Sequence, residues 1–153
     1  MKSESPLPPS DFEVEAAAMR LLARTELSVQ LLRKKLRNKG FDTDLIDQVL
    51  DDLQQRNLLS DERFAEQYFD MRTRKGYGPL RIAAELREKG IHDSLANAVM
   101  EQPSSFWREL MDEVLQKKFG TGIGEDYNAV AKQGRFLEYR GFPVSLIRDR
   151  LFS

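Results

Sequence analysis

The sequence contains no cysteine and a single histidine, so several kinds of chemistry are excluded before any motif is considered. Without cysteine the chain has no disulfide, no thiolate zinc site and no cysteine nucleophile. His92 stands in a turn beside Asp93, where we expect a surface or capping role, and carboxylates alone suit transition metals poorly. No serine stands in a nucleophile elbow. We therefore expect a non-enzymatic protein, without cofactor or metal, that binds another macromolecule.

Long apolar runs are also missing, and none approaches the ~18 residues that a membrane span requires. The first ten residues, MKSESPLPPS, lack an apolar signal region, so we expect a cytoplasmic protein without membrane contact. The net charge is −1, whereas simple nucleic-acid binders are usually basic. The charges are nevertheless clustered: residues 33–39 hold five bases and no acid, and residues 42–52 hold five acids and no base. We interpret the acids as a solvated helix face, with a site for a hard metal ion as the alternative.

Most of the sequence carries helix signals, and the apolar–polar alternation typical of β-strands is nearly absent. Residues 1–10, with three prolines, are predicted to be a flexible tail. Ser10 or Asp11 can cap a first helix to about Arg24, and Ser28 can cap a second that ends at Gly40. Asp42 or Thr43 can cap a third helix, which ends near Asn57.

One pattern recurs three times along the chain. It reads LRNKGFDTDLIDQVL from Leu36, LREKGIHDSLANAVM from Leu86 and LEYRGFPVSLIRDRL from Leu137. The glycines at 40, 90 and 141 are 50 and 51 residues apart, and each copy has a further helix upstream. A unit of this size buries little core alone, so neighbouring units should pack together. The pattern predicts an all-α protein of three tandem three-helix repeats, residues 11–58, 59–102 and 103–153, in an elongated array.

The third copy departs most from this pattern. Its middle helix has Gln133 where the other copies have Leu32 and Ile82, and Gly134 follows. We expect this helix to be the weakest, since glycine costs ~1 kcal/mol relative to alanine. The segment Gly120–Gly124 lies between helices and is predicted to be a flexible linker.

The most informative stretch runs from Arg72 to Ile82, where Arg72, Arg74, Lys75 and Arg81 surround a tight turn with Tyr77 at its tip. Pro79 suits the first position of the next helix and Gly78 suits its cap. The corresponding segments of the other copies, residues 22–25 and 123–126, lack this cluster. Two interpretations remain: a binding surface, or bases that offset the dipole of their helix. The free amides after Lys75–Pro79 also have the geometry to receive a phosphate, although the spacing is not that of a P-loop.

At these residues the chain resembles the RecX family, regulators of the bacterial RecA recombinase. The likeness rests on Arg74-Lys75-Gly76-Tyr77-Gly78-Pro79 and its continuation to Ile91, with support from Lys39-Gly40-Phe41 and Leu59-Ser60-Asp61. The resemblance implies a helical array that curves into an arc. It also implies binding in the groove of the RecA filament on single-stranded DNA, with inhibition of filament growth, strand exchange, ATPase and repressor cleavage.

The leading hypothesis is thus a monomeric negative regulator of RecA that presents this turn to RecA or to DNA. The candidate partner-binding residues are Arg72, Arg74, Lys75, Tyr77, Arg81, Arg87, Lys89, Arg33, Lys34 and Arg37. For the last three the alternative is a solvated helix face. A second hypothesis is a helical nucleic-acid-binding module that acts without RecA, and a third is a carboxylate-metal nuclease.

Overall fold

The computed structural model describes residues 10–152, and the predicted tail lies outside this range except for Ser10. This part of the chain holds nine α-helices and no strand, which confirms the predicted fold class. The helices are α1 Asp11–Leu22, α2 Val29–Asn38, α3 Thr43–Gln55, α4 Asp61–Arg74, α5 Pro79–Glu88, α6 Asp93–Met100, α7 Ser104–Phe119, α8 Tyr127–Tyr139 and α9 Val144–Phe152. Helices α1 and α3 end two residues before the predicted Arg24 and Asn57.

The chain divides into two compact units after Phe64, and the first unit contains α1, α2 and α3. These three helices pack against one another in every pairing. The predicted caps are confirmed for α2, where the Ser28 hydroxyl accepts a hydrogen bond from Leu31 N at 3.1 Å, and for α3, where Asp42 accepts one from Asp44 N. The apolar stripes of the three helices form one core: Val14, Ala17, Ala18, Leu27, Leu32, Leu36, Ile46, Val49, Leu50, Leu53 and Leu59.

The glycine that marks each repeat has the same backbone conformation in all three copies. Gly40, Gly90 and Gly141 have φ values of +93°, +86° and +97°. This left-handed region is one that glycine enters without the Cβ penalty of other residues. In each copy the backbone N–H of the apolar residue after the glycine donates to the carbonyl of the leucine five residues before it, as Phe41 N does to Leu36 O. The recurring sequence pattern therefore corresponds to a helix–turn–helix that is repeated three times.

The second unit contains α5–α9 and most of α4. Helix α5 packs on α6, and α8 packs on both α7 and α9. Helices α4 and α7 meet through aromatic rings, since the Phe69 ring lies 5.8 Å from Phe106 and 5.7 Å from Trp107. The buried apolar residues of this unit include Ile82, Leu86, Ile91, Met111, Leu115, Leu137, Phe142, Ile147 and Leu151.

Gln133, the polar exception in the third repeat, is buried but hydrogen-bonded. Its side-chain oxygen accepts from Gly124 N at 3.0 Å, and its amide nitrogen donates to Gly122 O at 3.5 Å. A buried polar side chain costs little when its bonds are made. Gln133 therefore fastens the Gly120–Gly124 segment to α8, a role that the repeat pattern does not reveal.

The second and third repeats meet backbone to backbone at two glycine turns, which we call the glycine seam (Gly78 and Gly141). Gly78 N donates to Arg140 O at 2.7 Å, and Leu80 N donates to Gly141 O at 3.0 Å. A Cβ at Gly78 would lie 2.7 Å from Gly141 O, and one at Gly141 would lie 2.4 Å from Arg81 Cβ. Both turns need glycine because only a missing side chain permits this approach.

Candidate partner-binding site

The structure separates the predicted turn into a packed part and an exposed part. The packed part is the Tyr77 cluster, in which three guanidinium carbons face one ring: Arg72 at 3.8 Å, Arg81 at 4.5 Å and Arg140 at 4.8 Å from its centroid. A cation near an aromatic face is attracted by the ring quadrupole, by about 0.5–1 kcal/mol when exposed and more when desolvated. Tyr77 therefore serves as the common support of three arginines.

Glu85 supplies the negative charge of this cluster. Its carboxylate accepts hydrogen bonds from the Tyr68 hydroxyl at 2.7 Å, from Arg72 at 2.8 and 2.9 Å, and from Arg81 at 3.1 Å. Burial opposes ionisation of Glu85, but these hydrogen bonds outweigh it and hold its pKa below the ordinary value. Burial, with the bond to Glu85, raises the pKa of Tyr68 to about 12. Arg72 and Arg81 thus have a structural role that neither sequence interpretation considered.

The exposed part is Arg74 and Lys75, at the end of α4. Both line a cavity of about 630 Å³, which we call the basic groove. Its walls come from α4 and the following turn, from α7 and from α8: Thr73, Arg74, Lys75, Gly76, Leu110, Glu113, Val114, Lys117, Lys118, Phe136 and Arg140. Five of these side chains are cations and only Glu113 is an acid, so the groove attracts anions.

Arg140 belongs to both the Tyr77 cluster and the basic groove. Its guanidinium donates to Lys75 O at 2.8 Å and to Gly76 O at 3.4 Å. Its charged carbon also lies 5.1 Å from the centre of the Phe136 ring, besides its contact with Tyr77. The third repeat therefore holds the turn of the second repeat in a fixed position.

The remaining predicted residues make other contacts or are exposed. In the second unit, Arg87 is exposed and pairs with Asp93 at 3.4 Å, while the Lys89 ammonium lies 5.1 Å from the centre of the Tyr68 ring. In the first unit, Arg33 pairs with Asp47 at 2.6 Å, and Lys34 and Arg37 are exposed on α2. The binding role of all ten predicted residues stays a prediction.

The suggestion that the start of α5 receives a phosphate is wrong in this fold. Two of its first amides, those of Gly78 and Leu80, already donate to the carbonyls of Arg140 and Gly141. A helix N-terminus binds an anion only while its N–H groups are available. His92, in contrast, is the cap that the sequence predicts, since its ring nitrogen accepts from Ser94 N at 3.2 Å.

Sequence reasoning missed three cations of the basic groove: Lys117, Lys118 and Arg140. The lysines had the appearance of ordinary C-terminal helix bases, which complement the dipole of α7. Arg140 was visible only as the base before the repeat glycine. Its separation from Lys75 by 65 residues left no local signal of their contact.

These features define a class: a helical-repeat protein whose conspicuous chemical feature is a cationic groove at the junction of two repeats. Profiles of the three RecX three-helix domains match residues 16–53, 60–100 and 108–151 in order. Regulatory protein RecX of Pseudomonas savastanoi pv. phaseolicola is 40% identical over 140 residues, which cover 92% of this chain and 90% of the relative. The protein of the same name from Halorhodospira halophila is 37% identical over 135 residues, 88% of this chain and 84% of its own.

Solved structures agree with this assignment at the level of the fold. The crystal structure of RecX from Lactobacillus salivarius has a TM-score of 0.77 at 23% identity, covering 91% of this chain and 92% of its own. The three family profiles and the 40% identity to a relative show that the chain belongs to the RecX family of regulatory proteins. Within residues 10–152, no helix combines the length and apolarity needed to cross a membrane, and no three carboxylate or histidine side chains are grouped as metal ligands.

Proposed function

We propose that this RecX-family protein is a negative regulator of RecA. It binds the RecA–single-stranded DNA filament as a cytoplasmic monomer and inhibits filament extension, strand exchange and co-protease activity. Family membership supports RecA as the partner. The binding mode is supported by one observation. Arg74 and Lys75 are exposed, and the turn beside them is held in place because Arg140 donates hydrogen bonds to the backbone carbonyls of Lys75 and Gly76.

Inhibition of this kind requires binding energy and no catalytic group. A turn that is fixed before binding loses little conformational entropy when a partner docks, so more of the contact energy appears as affinity. Exposed cations on such a turn can contact acidic RecA side chains or DNA phosphates. Arg72 and Arg81 contribute indirectly, because Glu85 and Tyr77 engage them in supporting the turn.

The test is an Arg74→Ala, Lys75→Ala double variant in an assay of RecA ATPase on single-stranded DNA. Loss of hydrogen bonds to charged groups costs roughly 1.5–3 kcal/mol each. The concentration for half-inhibition should therefore rise tenfold or more. An Arg20→Ala, Arg24→Ala variant removes two exposed cations from the other unit and should inhibit like the wild type. A double variant that inhibits RecA at the wild-type concentration would contradict the proposed site.

The alternative is a nucleic-acid-binding module that acts without RecA, and the five cations of the basic groove favour it. The two functions differ in what binds tightly. A gel shift on bare single- and double-stranded DNA separates them: nanomolar binding without RecA would support the alternative. The RecA regulator should bind bare DNA weakly and the filament tightly.

A further inference from the structure

Three large hydrophobic side chains are exposed around the glycine seam, and we call them the seam patch (Leu80, Tyr139 and Val144). Their exposed fractions are 59%, 72% and 46%. Leu80 donates its backbone N–H to Gly141 O at 3.0 Å, while Tyr139 and Val144 stand two residues before and three residues after Gly141. Exposed hydrophobic residues scattered singly need no explanation, but grouped ones are typical of an interaction surface.

We propose that the seam patch docks on the protein surface of a RecA subunit, in an apolar pocket that receives the Tyr139 ring. The inference rests on the proposed function and adds a protein contact outside the basic groove, which none of the three side chains lines. Leu80 follows Lys75 by five residues, so at most about 18 Å of chain separates the patch from the exposed turn. One interface of ordinary size, about 800 Å² per partner, can cover both.

The Tyr139 ring is held in position although most of it is exposed. The Arg81 guanidinium carbon lies 4.9 Å from the ring centre, and Arg81 Nη1 donates to Tyr139 O at 3.2 Å. Arg81 is itself fixed by its ion pair with Glu85 at 3.1 Å and by its contact with the Tyr77 ring. Because a side chain that is ordered before binding loses little entropy on docking, Tyr139 has the properties of an interface anchor.

The charges around the ring favour a protein over a nucleic-acid strand. The positive charge of Arg81 against the ring is already paired with Glu85. Glu138, the exposed neighbour of Tyr139, repels phosphates, and the exposed Arg135 precedes it by one turn. The two aliphatic members of the patch have no ring on which a base could stack. An apolar centre with charges of both signs at its rim is typical of a protein–protein interface.

The first experiment identifies what the ring touches. The full chain with Tyr139→p-benzoylphenylalanine is irradiated in the presence of RecA filaments on labelled single-stranded DNA, and we expect a crosslink to RecA protein and none to DNA. Tyr127 is the matched control, because it is 81% exposed but about 18 Å away at the other end of α8. The same replacement at Tyr127 should crosslink several-fold less. A crosslink from position 139 to DNA, or equal crosslinking from both positions, would overturn the proposal.

The second experiment measures what the ring contributes. Tyr139→Ala should raise the concentration for half-inhibition of RecA ATPase about tenfold or more, as truncation of an aromatic anchor does. The salt dependence of inhibition should stay that of the wild type, since no phosphate contact is lost. Tyr127→Ala should inhibit like the wild type. Inhibition by Tyr139→Ala at the wild-type concentration would count against the patch, and so would a reduced salt dependence.

The outcomes separate this inference from the proposed function. A wild-type chain that does not inhibit RecA would sink the proposed function, whereas the crosslink to RecA requires binding alone and is read separately. Wild-type inhibition that survives Tyr139→Ala would sink the seam patch and leave the exposed turn as the site.

Discussion

Replacement of Gly141 by alanine tests whether the two repeats are held by the glycine seam. At Gly141 the backbone has φ +97°, and a Cβ would lie 2.4 Å from Arg81 Cβ and 2.7 Å from Arg81 N. Left-handed backbone costs a non-glycine residue about 1–2 kcal/mol. Overpacking adds typically 1–3 kcal/mol. A shift that lengthens the bond from Leu80 N to Gly141 O adds about 0.5–1.5 kcal/mol.

The first repeat supplies a matched control. Gly40 has nearly the same backbone, with φ +93°, but a Cβ there would have no atom within 4 Å. Gly40→Ala should therefore show only the backbone term, about 1–2 kcal/mol. The difference between the two variants isolates the close approach at the seam, and we expect it to be about 1.5–4.5 kcal/mol.

The measurement is urea unfolding followed by two signals. Trp107, the only tryptophan, is buried in the second unit, so its fluorescence reports on the unit that contains Gly141. Far-UV circular dichroism follows both units and so includes the Gly40 variant. If Gly141→Ala lowers the free energy of unfolding by no more than Gly40→Ala does, the seam contributes nothing to stability and the packing argument is refuted.

Two further predictions concern single polar side chains. Glu85→Gln should lower the free energy of unfolding by about 1–3 kcal/mol at neutral pH, because Arg72 and Arg81 lose their carboxylate partner. Its folded pKa is lowered, so this stabilisation is present above the ordinary glutamate pKa and disappears as the pH falls through the folded value. The gap between wild type and variant, read from urea midpoints, should narrow in acid, and a constant gap would contradict the assignment. Ser28→Ala should cost about 1 kcal/mol by circular dichroism, since Leu31 N loses its cap. The exposed Thr25→Ala serves as its control, and equal losses would count against the cap.

Local chemistry explains why the helices were predictable. The caps Ser28 and Asp42, Pro79 at the start of α5 and the glycines after α2, α5 and α8 act within a few residues of their own position. These signals are readable because capping is satisfied inside one turn of chain. Because the pattern recurs, signals of the same kind appear in each of the three copies.

The candidate site was only partly predictable, because its contacts join distant repeats. Arg74 and Lys75 were identified from a local cluster and do line the groove. Arg72 and Arg81 came from the same cluster, but Glu85 and the Tyr77 ring hold them. Which base is exposed depends on how the helices pack, and the local pattern around each base does not show that packing.

Arg140 connects the glycine seam with the basic groove. Its carbonyl accepts the Gly78 amide at the seam, while its guanidinium fixes the carbonyls of Lys75 and Gly76 beside the groove. A shift of Gly141 away from Arg81 therefore displaces a groove cation as well. The net charge of −1 gives the groove little support from the rest of the chain, so its attraction for phosphate depends on local spacing. Gly141→Ala should consequently weaken RecA inhibition even where the variant is still folded, whereas Gly40→Ala should not.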